Sequence, residues 1–381
     1  MRFLSIFFLC FSIVAHSQVN LRRIPLGTLD FLLYPSDAQS LGLGMGGFAT
    51  NPTESNWMTN HAKIPFLESN SSINVVYNPI ANGIIADMGL ARINAYTKLK
   101  NNSSFNWGIQ YFDGGKIDLR DDDGVSNGEF SSYTLAIQTG YSMKLSKKIN
   151  GGLTFRYINS HLLPKHQFGQ YNIRPASTLN TDLSLYYQGD RTKKHYFNGA
   201  AVIQNIGPKV SFGDEKKGNF QSTIFRLGGA YNLKIQNKDL ISLNLDAHKM
   251  LVPTPPLYGA EGRIIKGKNL YNTSSLAAIF SSLSDAPNGF SEELSEIMIS
   301  AGLEFTHANK LIGRIGYFND PKSKGNRKLL TIGGGLQNLS LKEDKWLMNF
   351  DVSTSFGLGD FTPMNHTYML TLSFSKNKKQ Q

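Results

Sequence analysis

Residues 131–161 read SSYTLAIQTGYSMKLSKKINGGLTFRYINSH, and this stretch decides the fold class. Tyr133, Leu135 and Ile137 alternate with Thr134, Ala136 and Gln138; beyond a short Lys147-Lys148 turn, Leu153, Phe155 and Tyr157 alternate with Thr154 and Arg156. A period of two puts successive side chains on opposite faces of an extended chain, so one face is apolar and aromatic and the other small or polar. Each segment is a strand whose two faces meet different environments.

The same pattern spreads in both directions. Trp107, Ile109 and Tyr111 show it, as do Leu183 and Leu185, then Phe225, Leu227 and Tyr231, then Ile241, Leu243 and Leu245. About fourteen strands are expected, near 73–77, 86–98, 105–112, 131–144, 149–161, 178–190, 195–204, 223–235, 239–250, 295–307, 309–318, 327–337, 345–357 and 365–375. Alternation alone fits a soluble sandwich equally well. Connection lengths separate the two: gaps around Asn101, Lys147, Lys193, Gln236, Ala308 and Asn338 are short, and those around Gly115, Lys165, Asp214, Pro256 and Pro321 are long. Short turns at one end and long loops at the other belong to an all-β, transmembrane antiparallel β-barrel. The last segment, with Tyr368, Leu370, Leu372 and Phe374 on one face, resembles an outer-membrane assembly signal, although a tail follows it.

Composition agrees. Of 381 residues only 18% are charged, below the roughly 25% usual in soluble domains, and 24 Phe with 16 Tyr exclude a disordered chain. Beyond the extreme N-terminus no apolar run reaches the ~18 residues of a membrane helix. Arg2, the apolar stretch Phe3 to Val14 and Ala15-His16-Ser17 predict a cleaved export signal over 1–17; the single Cys10 would leave with it. The expected organisation is then an N-terminal segment over 18–72 filling or capping the lumen, the barrel over 73–375, and a tail over 376–381. The formal charge of +11 is spread in clusters such as Lys147-Lys148 and Lys193-Lys194. For an exported protein this points to anionic lipid headgroups and not to nucleic acid.

Chemical motifs are sparse. Gly42-Leu43-Gly44-Met45-Gly46-Gly47 has G-x-G-x-x-G spacing but lacks the strand before and helix after that a dinucleotide site needs, so it reads as tight backbone packed in the lumen. Asp121-Asp122-Asp123-Gly124 lacks calcium-loop spacing and reads as a turn; His161 and His166 read as solvated loop residues. No nucleophile signature occurs, so neither catalytic residue, metal nor cofactor is expected. Lumen-facing Arg156, Asp182, Arg226, Asp246, Glu304 and Arg314 read as an interior charge network. The longest connection, 251–294, carries Pro253, Pro255, Pro256 and Pro287, and its Glu292, Glu293 and Glu296 near Leu294 and Ile297 predict a helical turn. Loops of this length are usually functional.

Several blocks resemble one family. Pro35-Ser36-Asp37-Ala38 with Gly44-Met45-Gly46, Gln204-Asn205-Ile206-Gly207-Pro208-Lys209, Leu251-Val252-Pro253-Thr254-Pro255-Pro256, Glu292-Glu293-Leu294-Ser295-Glu296, and Gly316-Tyr317-Phe318 leading to Lys324-Gly325-Asn326-Arg327-Lys328 run in the order seen in the PorV (LptO) family of type IX secretion outer-membrane proteins. A departure lies at Trp57-Met58-Thr59-Asn60-His61-Ala62-Lys63, where members usually carry Trp-Asn-Pro-Ala-Lys. The resemblance implies a FadL-like barrel and a non-enzymatic carrier. Such a carrier receives cargo at a SprA-type translocon by binding its C-terminal signal domain, and passes it to the PorU sortase and attachment complex with PorQ and PorZ. The residues expected to bind the partner are Pro253, Pro255, Pro256 and Tyr258 with Phe318, Lys324, Arg327 and Lys328, because Pro lowers the ordering cost of a loop and Tyr and Arg are frequent hot spots. The alternative on the same architecture is a transporter of hydrophobic compounds, for which Gly228-Gly229 or Gly333-Gly334-Gly335 would kink a strand and open the wall.

Overall fold

The computed structural model describes residues 23–80, 87–120, 123–162, 166–168, 171–213, 218–235, 238–259, 262–341, 346–359 and 364–376. The expected export signal, Asp121, Asp122, the side chain of His166 and the tail beyond 376 lie outside them. Fourteen strands close into one antiparallel barrel: β1 (Ser71–Pro79), β2 (Gly89–Lys98), β3 (Ser103–Arg120), β4 (Ser126–Lys144), β5 (Ile149–His161), β6 (Ala176–Tyr187), β7 (His195–Ile206), β8 (Ile224–Lys234), β9 (Leu240–Met250), β10 (Ile297–His307), β11 (Leu311–Asn319), β12 (Lys328–Leu341), β13 (Trp346–Gly357) and β14 (His366–Lys376). Each pairs with its sequence neighbour, and β1 meets β14 with Val75 opposite Leu372. Closure leaves no unpaired edge.

The burial pattern is inverted relative to a soluble protein. Along β1, Ile73, Val75 and Tyr77 are exposed while Asn74 and Asn78 are fully buried; Phe155 on β5 is 53% exposed between buried Thr154 and Arg156. Apolar rings outside and amides inside suit a wall with hydrocarbon around it and a packed polar lumen.

Two expectations need correction. The gap around Gly115 is not a loop: β3 and β4 continue as a paired hairpin to Arg120 and Ser126, with register shifts at Gly115 and Arg120. Above the membrane both faces of that hairpin meet water, so nothing demands an apolar face, and the polar Gly-rich sequence hid a strand. Nor do the glycine runs open the wall. Gly228-Gly229 is paired on both sides, as is Gly333–Gly335, and the register shift in β12 lies beyond Leu336.

Residues of the N-terminal segment pack against lumen-facing side chains. Asp37 caps the short helix α1 (Ala38–Gly42) through the Ser40 N–H at 2.8 Å. The Ala38 N–H donates to Thr371 at 2.9 Å and the Ser353 hydroxyl to the Ala38 carbonyl at 2.6 Å. Gly44, at φ 70°, passes so close to β11 that a Cβ would sit 2.5 Å from the Tyr317 carbonyl oxygen, and Gly316 faces it with no side chain of its own. The glycine run is thus a close backbone approach. The anion it meets belongs to the protein: Asp246 accepts from the N–H groups of Gly47 at 2.7 Å and Phe48 at 3.2 Å. Asp246 therefore serves the backbone and not Arg226, which lies over the Phe48 ring at 4.9 Å and donates to His248 at 3.2 Å. The other lumen charges do pair, Arg156 with Asp182 at 2.8 Å and Arg314 with Glu304 at 2.7 Å and Asp351 at 2.6 Å.

Candidate functional site

The long connections all leave one end of the barrel, and the longest builds a platform there. Residues 251–296 contain a small hairpin (Leu257–Tyr258 with Ile264–Lys266) and the helices α2 (Ser275–Ser281) and α3 (Phe290–Leu294). The latter is the helical turn the glutamates predicted. A buried ion cluster fastens its base. Lys324 Nζ donates to Glu292 at 2.7 Å, to Glu296 at 2.8 Å and to the Arg23 carbonyl at 2.9 Å; Arg23 returns to Glu292 at 2.8 Å. From the wall, Lys249 reaches Glu293 at 2.9 Å and Glu296 at 2.7 Å. Remaining lone pairs are met by Thr254 Oγ1 on Glu296 and by the Ala286 N–H on Glu293, both at 2.6 Å. A buried ion cluster is costly unless its charges are satisfied; the carboxylates here are met in this way, while the Arg23 Nε has no hydrogen-bond partner.

Of the eight residues expected to bind a partner, Tyr258 alone stands clear of the surface, at 57% exposure. Pro253 and Pro256 are buried within the loop and Pro255 is half-buried. Lys324 is 4% exposed and Phe318 faces the lumen at 4%. Arg327 is half-buried, bonded to Asp320 at 2.8 Å with its guanidinium 5.5 Å from the Phe318 ring; Lys328 is half-buried where β12 begins. Phe318, Lys324 and Arg327 thus come together beneath the platform, apart from Tyr258. There they border a cavity of about 390 Å³ whose apolar wall includes Met45, Met250, Met298, Met364 and Leu329.

Sequence reasoning missed the surface itself. Leu276, Phe280 and Leu283, spaced by four and three, are 65%, 75% and 56% exposed; Phe290 and Leu294, spaced by four, are 77% and 51% exposed. Helical spacing of apolar residues was the available signal, but it ordinarily marks a buried face. Here each helix turns it outward. Five exposed apolar side chains in one loop are the kind of feature an interaction surface uses.

Protonation bears on the clamp. Burial pushes the Glu292 carboxyl up, but hydrogen bonds from Lys324, the Asn288 N–H and Arg23 outweigh it and hold it below the ordinary glutamate value. A carboxyl depressed in the folded state stabilises above its unfolded value and loses that contribution as pH falls through the folded one. Hydrogen exchange of amides in 285–296, corrected for intrinsic rate, is therefore expected to stay level from neutral pH to the ordinary value of 4.5 and to rise below it.

The family model described as "Type IX secretion system protein PorV" matches residues 17–257, more than half of the chain. The chain belongs to the PorV family. The match ends within the long loop, and no curated protein sequence matches the chain. Among solved structures, the CymD monoaromatic hydrocarbon channel aligns with a TM-score of 0.50 at 11% identity, covering 91% of this chain and 98% of that one. The Pseudomonas putida toluene transporter TodX gives 0.49 at 12%, covering 90% and 98%; a Pseudomonas aeruginosa FadL homologue gives 0.46 at 8%, covering 90% and 98%. At such identities the likeness concerns the fold. This PorV-family barrel is an outer-membrane component of type IX secretion.

Proposed function

We propose that the chain is a non-enzymatic carrier that binds the C-terminal signal domain of secreted cargo at its long-loop end and delivers it to the surface sortase and attachment complex. The observation that carries this reading is the platform 251–296, held by buried ion pairs while it presents Phe280 and Phe290 to solvent. A rigid base lowers the ordering cost of capture, and exposed aromatic anchors supply its affinity. The N-terminal segment closes the lumen in this reading, so cargo is held outside and does not pass through. Proteins of the PorU, PorQ and PorZ kind and a SprA-type translocon are the partners it implies.

The test is retention of a purified cargo signal domain on the detergent-solubilised barrel, with wild type against Phe280→Asp/Phe290→Asp. Two lost aromatic anchors at about 2 kcal/mol each predict a fall in affinity on the order of 10²- to 10³-fold. Unchanged retention by a correctly folded double variant would remove the platform from the reading. A second reading, transport of hydrophobic compounds, is favoured by the methionine-lined cavity. It predicts uptake of a labelled apolar compound that stops when Met298 and Leu329 are enlarged, with cargo binding untouched.

A further inference from the structure

The wall carries a second feature that cargo capture does not use. On its outer face, spanning β5 to β10, lies a groove of about 830 Å³. Gly199, Ala201, Gly229 and Ala247 form its floor; Gly313 opposite Gly334, on β11 and β12, makes a second small-residue spot on the outer face, outside the groove. Gly199 pairs directly with Gly229, while Leu227 is flanked by Ala201 on one side and Ala247 on the other. Tyr187, Phe197 and Tyr231 wall it toward the short turns, and the Phe197 ring leans across Gly229, where a Cβ would sit 3.0 Å from the ring.

The turns beneath that groove are strongly basic. Lys147 and Lys148 follow β4, Arg191, Lys193 and Lys194 follow β6, and Lys234 and Lys238 flank the turn after β8. Seven cations stand there against two carboxylates, Asp190 and Asp239, and the second of these is engaged by His307 and the Ala308 N–H. Apart from the half-buried Lys234, the cations are exposed. Between β12 and β13 the sequence 342–345 carries two lysines together with Glu343 and Asp344. The charge therefore gathers under the groove. Tyr231, bonded to His195 at 2.6 Å, marks the level between them, where amphipathic aromatics settle at a membrane interface.

We propose that this groove and its basic rim form a binding site for an anionic phospholipid of the short-turn leaflet, with an acyl chain along the Gly/Ala floor and the phosphate on the turn lysines. Any barrel is coated by lipid, but a concave apolar track ending at clustered cations selects one lipid class by charge and chain together.

The test reconstitutes the full chain in phosphatidylcholine vesicles containing a minority of phosphatidylglycerol, re-extracts it in mild detergent and counts retained lipid by mass spectrometry. Each cation near the phosphate contributes about fivefold, so phosphatidylglycerol should be enriched over its vesicle proportion on the order of tenfold or more. Lys148→Gln/Lys193→Gln/Lys194→Gln is expected to return the ratio to that of the vesicle while lipid is still retained. Gly199→Leu/Ala201→Leu is expected to lower retention of both lipids; a Cβ at 199 meets nothing closer than 3.8 Å, so the backbone there leaves room for a side chain to start. Heat-modifiable migration in gels reports folding for each variant. Retention at the vesicle ratio by wild type, indifference to both variants, or a dimer that occupies this face would each overturn the proposal.

Discussion

Replacing Lys324 by methionine is expected to free the platform from the barrel without unfolding the barrel. The lysine side chain is 3% exposed and its ammonium is shared by Glu292, Glu296 and the Arg23 carbonyl. Methionine fills similar volume but leaves buried carboxylates short of a cation, a change that costs about 3 kcal/mol or more. Lys249 continues to hold Glu296, and Arg23 continues to hold Glu292, so the loss falls on the clamp and not on the strands. Local opening of 251–296 should rise on the order of 10²-fold, read as hydrogen exchange of its amides and as proteolytic cleavage within the loop. Lys322→Met is the control, because Lys322 lies in the same turn and is exposed. If Lys324→Met protected the loop as well as wild type does, the ion cluster would not be what holds it. If the carrier reading is right, cargo retention falls in step with loop protection.

What the residues disclosed in advance follows from where two solvents meet. A strand between hydrocarbon and a polar lumen must alternate, so Trp107-Gly108-Ile109-Gln110-Tyr111 reads as a strand at sight, and all fourteen were visible in this way. Above the membrane the constraint disappears, and β3 continues through Gly115 to Arg120 with nothing in the sequence to announce it. The functional end was harder for a different reason. Its clamp joins Arg23, Lys249, Glu292, Glu296 and Lys324, partners separated by as many as 301 positions, and no local pattern reports such a meeting. Lys324 and Arg327 read as partner contacts from the sequence because they lie in a long connection and Arg is a frequent hot-spot residue. Burial beside carboxylates made them fasteners instead. Nothing in the sequence singles out Phe280 and Phe290, since aromatics at helical spacing ordinarily face a core.

Deep in the barrel, Arg314→Met is expected to have the largest effect on assembly. Arg314 on β11 is 1% exposed and bridges Glu304 on β10 to Asp351 on β13, while Glu304 also accepts from Gln39 of α1 at 2.8 Å. One guanidinium therefore links the wall to the N-terminal segment. Removing it strands two buried carboxylates, for which about 3 to 5 kcal/mol is the usual cost. The midpoint of denaturant unfolding should fall markedly, and α1 should become accessible to a thiol reagent at an introduced Ser40→Cys. The compensating triple variant Glu304→Gln/Arg314→Met/Asp351→Asn separates two causes. With the carboxylates neutralised, wall stability should recover most of the loss, because the penalty came from unpaired charge. The seating of α1 should recover less, since Gln39 then meets an amide in place of a carboxylate and the bond loses its charge assistance. Full recovery of both would mean that the close approach of Gly44 to β11 holds the segment by shape alone. Recovery of the wall alone would mean that the charge triad also fixes where the segment sits, and the segment would then be held by electrostatic specificity as much as by packing.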